Sequence, residues 1–100
     1  MTEYTFTKLP NYVLEHLLLS NFTKSEISVI LFIARMSYGF NKKYTKPLLL
    51  SEFTQGTNIN RNNVWKTLDS LIKRDIILRK KREGYHYSYK ICMKKQELFF

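Results

Sequence analysis

A single cysteine, Cys92, excludes an internal disulfide, and no second ligand stands near it at metal-binding spacing. That usage fits a reducing compartment, and neither a metal nor a cofactor is expected. The three glycines, Gly39, Gly56 and Gly84, are too scattered to cradle phosphates. P-loop, GxGxxG, HExxH and CxxC patterns are all missing. The two histidines, His16 and His86, have no carboxylate or nucleophile at motif spacing, so both are read as surface or packing residues. Only eight side chains are acidic, and no DxD-like pair offers a seat for Mg²⁺. No catalysis is therefore expected. Long apolar runs are lacking too: Val29 to Ala34 is too short to span a bilayer, and Met1 to Lys8 holds no signal-like apolar stretch. A soluble, intracellular protein is the expectation.

What the chain has in excess is positive charge. Lys and Arg number 17, for a net charge of +9 and a pI near 9.8, which points to a polyanionic partner. Residues 1–50 carry a net +3 and residues 51–100 a net +6, so the second half is the better candidate for contact. One hundred residues, 44% of them hydrophobic, suit a single domain with one core, expected over residues 1–100.

Periodicity divides that domain into helices and a hairpin. Pro10 followed by Asn11 as cap opens a helix over about 11–19, with Val13, Leu14, Leu17 and Leu18 as its apolar stripe. Thr23-Lys24-Ser25-Glu26 is a capping box, opening a helix that should run over 24–38 and stop at Gly39. This helix is apolar on two sides, Ile27, Ile30, Leu31, Ala34 and Tyr38 on one and Val29, Phe32, Ile33 and Met36 on the other. Its second side is to be covered by the amino-terminal helix or by a dimer partner. Leu48-Leu49-Leu50 reads as a short strand, and Ser51 as the cap of a helix ending in a Gly56-Thr57-Asn58 turn. Asn60 caps the next helix, Arg61 to Arg74, with Val64, Leu68, Leu71 and Ile72 inward. Two helices joined by a short turn over about 51–74 form a helix-turn-helix. After Asp75 the period falls to two: Ile76 to Lys81, a turn at Arg82-Glu83-Gly84, then Tyr85 to Met93. Tyr85, Tyr87, Tyr89, Ile91 and Met93 should face the core, and His86, Ser88, Lys90 and Cys92 the solvent. A hairpin over about 76–93 directly after such a helix reads as a wing. The expected fold is mainly α with a small β hairpin (α+β), a winged helix-turn-helix with an extra N-terminal helix. Leu98-Phe99-Phe100, in the tail 94–100, must pack, dimerise or lead into something further.

Burial of Val64 and Leu68 would turn Asn62, Lys66, Asp69 and Lys73 outward on the helix 61–74, to enter a groove of double-stranded DNA. Asn60, Arg61, Asn62, Asn63 and Lys66 are the candidate base contacts, because Asn pairs two hydrogen bonds with adenine and Arg with guanine. Three Asn among four residues are also poor choices for helix stability. Trp65, near the edge of the apolar stripe, either packs or stacks on a nucleotide, with packing favoured. Lys73, the run Arg79-Lys80-Lys81-Arg82, and Lys42 and Lys43 of the loop before Pro47 are the candidate phosphate contacts.

Four stretches together resemble a known family: Tyr4-Thr5-Phe6-Thr7-Lys8-Leu9-Pro10-Asn11, Thr23-Lys24-Ser25-Glu26, Ser37-Tyr38-Gly39-Phe40-Asn41-Lys42-Lys43, and Asn60-Arg61-Asn62-Asn63-Val64-Trp65-Lys66. Over about Tyr4 to Lys80 the chain is similar to the amino-terminal domain of bacteriophage replication protein O. The resemblance implies a phage or prophage replication initiator that binds repeated origin sites as a homodimer in the bacterial cytoplasm. It also implies a separate carboxy-terminal region, outside this chain, that recruits replication proteins of the host. Family members commonly place Ser or Thr with Arg pairs where Asn60-Arg61-Asn62-Asn63 stands, so a different DNA sequence should be read. A stand-alone transcriptional regulator is the nearest rival. A phage winged-helix protein that binds a host protein, through its apolar second helix and tail, is another.

Overall fold

The computed structural model describes residues 6–93; the tail expectation for Leu98-Phe99-Phe100 lies outside them. The described chain is mainly helical with one antiparallel hairpin, an α+β fold: α1 (Asn11–Leu19), α2 (Lys24–Ser37), α3 (Leu50–Thr57), α4 (Arg61–Lys73), β1 (Ile77–Lys81) and β2 (Tyr87–Ile91).

Pro10, rather than Asn11, is the residue that opens α1. Its ring fixes φ at −59°, and its carbonyl accepts the Val13 N–H at 3.0 Å, so Asn11 is already helical and no side chain caps the end. The inward stripe also differs from expectation. Val13 and His16 are buried and Leu17 partly so, while Leu14 is exposed and Leu18 is 82% exposed. In a helix this rich in leucine, stripes at 13, 16, 17 and at 14, 18 are both regular, and only the neighbouring elements choose between them.

The capping box of α2 forms in both directions, with Glu26 N–H to Thr23 Oγ1 at 3.1 Å and Thr23 N–H to Glu26 Oε1 at 2.9 Å. The second carboxylate oxygen of Glu26 pairs with Arg74 just past the end of α4, and that guanidinium also lies over the Phe22 ring at 5.5 Å. The start of α2 is thereby fastened to the end of α4. Helix α2 ends one residue earlier than expected, where the Ser37 hydroxyl donates to the Ile33 carbonyl at 2.7 Å. One 3₁₀ turn, Tyr38–Phe40, follows, and Asn41 (φ 59°), not Gly39, takes the left-handed conformation that stops it.

Most of the apolar surface of α2 is covered from within the described residues, Leu31 being the exception at 43% exposure. The helix contacts α3, α4 and β2, and its Val29, Ile30, Ile33 and Ala34 join Phe53, Leu68 and Ile91 in one core to which α1 contributes Val13. The Phe53 ring meets Phe32 and Tyr89, each at 5.0 Å between centroids.

The expected strand Leu48-Leu49-Leu50 reduces to a single bridge between Leu48 and Tyr87, because Pro47 has no N–H to pair and Leu50 already belongs to α3. Ser51 therefore sits inside α3, whose amino end carries no side-chain cap. Thr45 adds two hydrogen bonds to Tyr89, N–H to carbonyl at 2.9 Å and Tyr89 N–H to Thr45 Oγ1 at 3.1 Å. Strand β2 is thus flanked by β1 on one edge and by residues 45–48 on the other. Ile77 faces Ile91 and Lys81 faces Tyr87 across the hairpin. Alternation along the second strand holds for Tyr89, Ile91 and Met93 but fails at two places. Ser88 is fully buried, accepting from Arg82 Nε at 3.0 Å, and Tyr85 is 85% exposed. Tyr85 falls in the turn, before β2 begins, where the period of two no longer sets side-chain direction.

Candidate nucleic-acid interface

The turn between α3 and α4 places everything that follows. The left-handed residue here is Asn58 (φ 60°), whose N–H closes α3 on the Thr54 carbonyl at 2.9 Å. Gly56, the expected turn residue, is helical, and its lack of a side chain serves a different purpose. A Cβ at Gly56 would lie 2.1 Å from the Phe32 ring of α2, so glycine permits the close approach of these helices. Asn60 then caps α4, its Oδ1 accepting the Asn63 N–H at 2.9 Å.

Helix α4 buries Val64, Leu68 and Leu71 and leaves Arg61, Asn62, Asn63, Trp65 and Lys66 exposed. The candidate base contacts therefore stand in solvent at the cap and along the first two turns. One of them, Asn60, has one lone pair of its side-chain oxygen engaged in the cap, leaving the second and its NH₂ group for other partners. Farther along, Lys73 pairs with Asp69 at 3.0 Å on the surface. Its acid precedes the base by four residues, the favourable order on a helix.

In the hairpin Arg79, Lys80, Lys81 and Arg82 are all exposed but differ in freedom. The Arg79 guanidinium stacks over the Tyr87 ring at 4.5 Å, and Arg82 is held by Ser88. Lys80 and Lys81 extend from opposite faces of β1. Lys42 and Lys43 are exposed too, but they line a separate hollow of about 280 Å³ with Lys8, Tyr38 and Asn41, and it shares no residue with α4 or the hairpin. Of the candidates, the structure brings Arg61 of α4 and Arg79 of β1 together in one cleft, whose lining includes neither the other α4 and hairpin candidates nor the loop lysines.

That cleft, about 420 Å³, lies between α4 and the hairpin and is closed by the start of α3. Arg61, Trp65 and Asp69 line it from α4, Arg79 from β1, and Tyr85 and Tyr87 from the turn and β2. Beneath them Tyr89 is buried, and its phenol is pushed above its ordinary pKa by that burial, with the Arg79 charge acting in the opposite direction. Trp65, expected to pack, is 54% exposed, and Tyr85, expected in the core, is more exposed still. The available signals for this were the position of Trp65 one turn after Arg61 and the adjacency of Tyr85 to Gly84. Among the described residues no cluster of three or more His, Cys, Asp or Glu is placed to hold a metal ion, and no helix is long and apolar enough to cross a membrane.

A family profile described as Bacteriophage replication protein O matches residues 2–92, and the chain belongs to that family. No curated protein matches it, and no solved structure does.

Proposed function

We propose that this replication protein O family member is a winged-helix domain that binds double-stranded DNA sequence-specifically at a phage replication origin, in the cytoplasm of the bacterial host, and acts by binding rather than catalysis. The observation that carries the reading is the division of α4 into a buried face of Val64, Leu68 and Leu71 and an exposed amino-terminal face of Arg61, Asn62, Asn63 and Lys66. At about 1.5 Å per residue a helix of 13 residues is about 20 Å long, and its width suits the major groove. Asn62 and Asn63 would read adenine edges, Arg61 and Lys66 guanine or a phosphate. Lys80, Lys81 and Arg82 on the hairpin, with Lys73, would hold the flanking backbone, and Lys42 and Lys43 would serve only a duplex long enough to reach their hollow. Arg79, stacked on Tyr87, offers its remaining edge to a phosphate.

A homodimer would double the site. Leu14 and Leu18, one turn apart on α1 and both exposed, are the surface that favours it. The same leucines could instead receive a host replication protein, which is the second reading.

The test is selection from a pool of randomised duplexes at near-physiological salt, followed by sequencing. A repeated or palindromic motif is the expected result, with affinity falling steeply as salt rises, by about 0.9 in the log–log slope for each phosphate neutralised. Retention without any motif would overturn sequence-specific reading. A motif lying beside a promoter, rather than clustered in the phage replication region, would replace the initiator role with a regulatory one.

A further inference from the structure

We infer that the cleft between α4 and the hairpin is a binding site for single-stranded DNA, taking an unpaired nucleobase against Trp65 and Tyr85. This goes beyond duplex recognition, and either activity can hold without the other. The cleft shares Arg61 and Arg79 with the duplex-binding candidates, but its aromatic lining, Trp65 and Tyr85, is not among them. Arg61, Trp65 and Asp69 form a stripe at i, i+4 and i+8 beside the stripe of Asn62, Lys66 and Lys73. Its volume, about 420 Å³, falls within the range of small-ligand sites, about 300–1,000 Å³.

The chemistry of the lining selects the ligand. Two large aromatic side chains stand in solvent on one concave surface, Trp65 at 54% and Tyr85 at 85% exposure, although each has a wide apolar face to bury. Beside them Arg79 lies over Tyr87, an Arg–aromatic stack that a further planar ring can extend. Arg61 and Arg79 supply positive charge for a phosphate, and the one carboxylate in the lining, Asp69, is already paired with Lys73. Planar, apolar faces next to guanidinium groups suit a ligand that is flat and aromatic at one end and anionic at the other. A nucleotide has both properties. In a duplex the base faces are covered by their neighbours and only edges and backbone are presented, so these rings can stack on a base only where the strand is unpaired. An acidic peptide would use the arginines but leave the aromatic faces without a partner.

Trp65 is the sole tryptophan, so its fluorescence reports on this cleft alone. The full chain is titrated with a short deoxythymidine oligomer, with an abasic oligomer of equal length, and with the corresponding ribo-oligomer. Stacking predicts that the deoxy-oligomer quenches Trp65 emission and that the abasic one, equal in charge, does not. The Tyr85→Ala variant should bind the deoxy-oligomer about 5- to 150-fold more weakly, the range expected for one base–aromatic stack, while keeping duplex affinity. Tyr85 projects into solvent, so this change removes no core contact. Equal quenching by the abasic oligomer, an unchanged single-strand affinity in Tyr85→Ala, or a parallel loss of duplex binding would overturn the inference. Tighter binding of the ribo-oligomer would overturn the assignment to DNA. If duplexes fail to bind while the deoxy-oligomer still quenches, the duplex reading falls and the single-strand site stands.

Discussion

Helices α2 and α4 are nearly equal in length, 14 and 13 residues, and they are covered very differently. Around α2, buried positions recur on several sides: Glu26, Val29, Ile30, Ile33, Ala34 and Ser37. Around α4 only Val64, Leu68 and Leu71 are buried, a single narrow stripe. The first helix is held by α3, α4 and β2; the second, held by α2, α3 and β1, keeps its fully buried positions on one face. Where most positions contact the core, substitution changes stability. Where most positions contact water, substitution can change recognition without changing the fold, and polar residues of poor helix propensity such as Asn62 and Asn63 are tolerated there.

That contrast can be broken by experiment. The largest effect belongs to the core side: Ile33→Ala should lower unfolding free energy by about 2–5 kcal/mol, the cost of an unfilled cavity, measured by denaturant titration. The fraction that stays folded should bind DNA with unchanged sequence preference. A gain in stability would show that α2 is loosely packed and that the contrast is false. Next comes Gly56→Val, which forces a side chain into the Phe32 ring and should cost about 1–3 kcal/mol by overpacking. It also tests whether α3 and α4 stay in register, since a loss of DNA binding greater than the loss of fold would show that this approach sets the pose of α4.

On the exposed side, Asn62→Ala combined with Asn63→Ala should leave the thermal midpoint nearly unchanged while weakening base discrimination by about 1–3 kcal/mol for each pair of Asn–adenine hydrogen bonds that the change abolishes. Competition between matched and mismatched duplexes measures it, and unchanged discrimination would remove the base-reading role. The smallest effect is expected at alkaline pH. Burial holds the phenols of Tyr38 and Tyr89 above their ordinary value of 10.0. The unfolded chain therefore ionises them first, so their contribution is complete below that value and is lost as pH rises through the raised folded values. Thermal unfolding followed across this alkaline range should show a falling midpoint, and Tyr38→Phe should make the fall shallower. An identical slope in that variant would assign the loss to other groups.

Much of the architecture could be read before folding because the signals were local. Thr23 and Glu26 cap each other three residues apart, and Asn60 meets Asn63 over the same spacing, so both helix starts follow from sequence neighbours. The period change after Asp75 marks the hairpin, since side-chain direction in a strand depends only on position along it. The exposed polar face of α4 follows from the spacing of Val64, Leu68 and Leu71. The errors fell where two local solutions were equally regular, or where direction depends on a distant chain segment. Ser88, on the strand face that a period of two turns to solvent, is buried and hydrogen-bonded to Arg82.

The sequence by itself determined the caps of α2 and α4, the order of helices and hairpin, the cationic surplus, and the candidate reading face of α4, because each depends on charges or on residues within one or two turns of one another. The tertiary structure alone decided which leucines of α1 face inward, why Gly56 must be small, and that Trp65 and Tyr85, 20 positions apart, line one cleft. Periodicity fixes the phase of residues within an element, whereas what stands opposite that element is set by long-range packing.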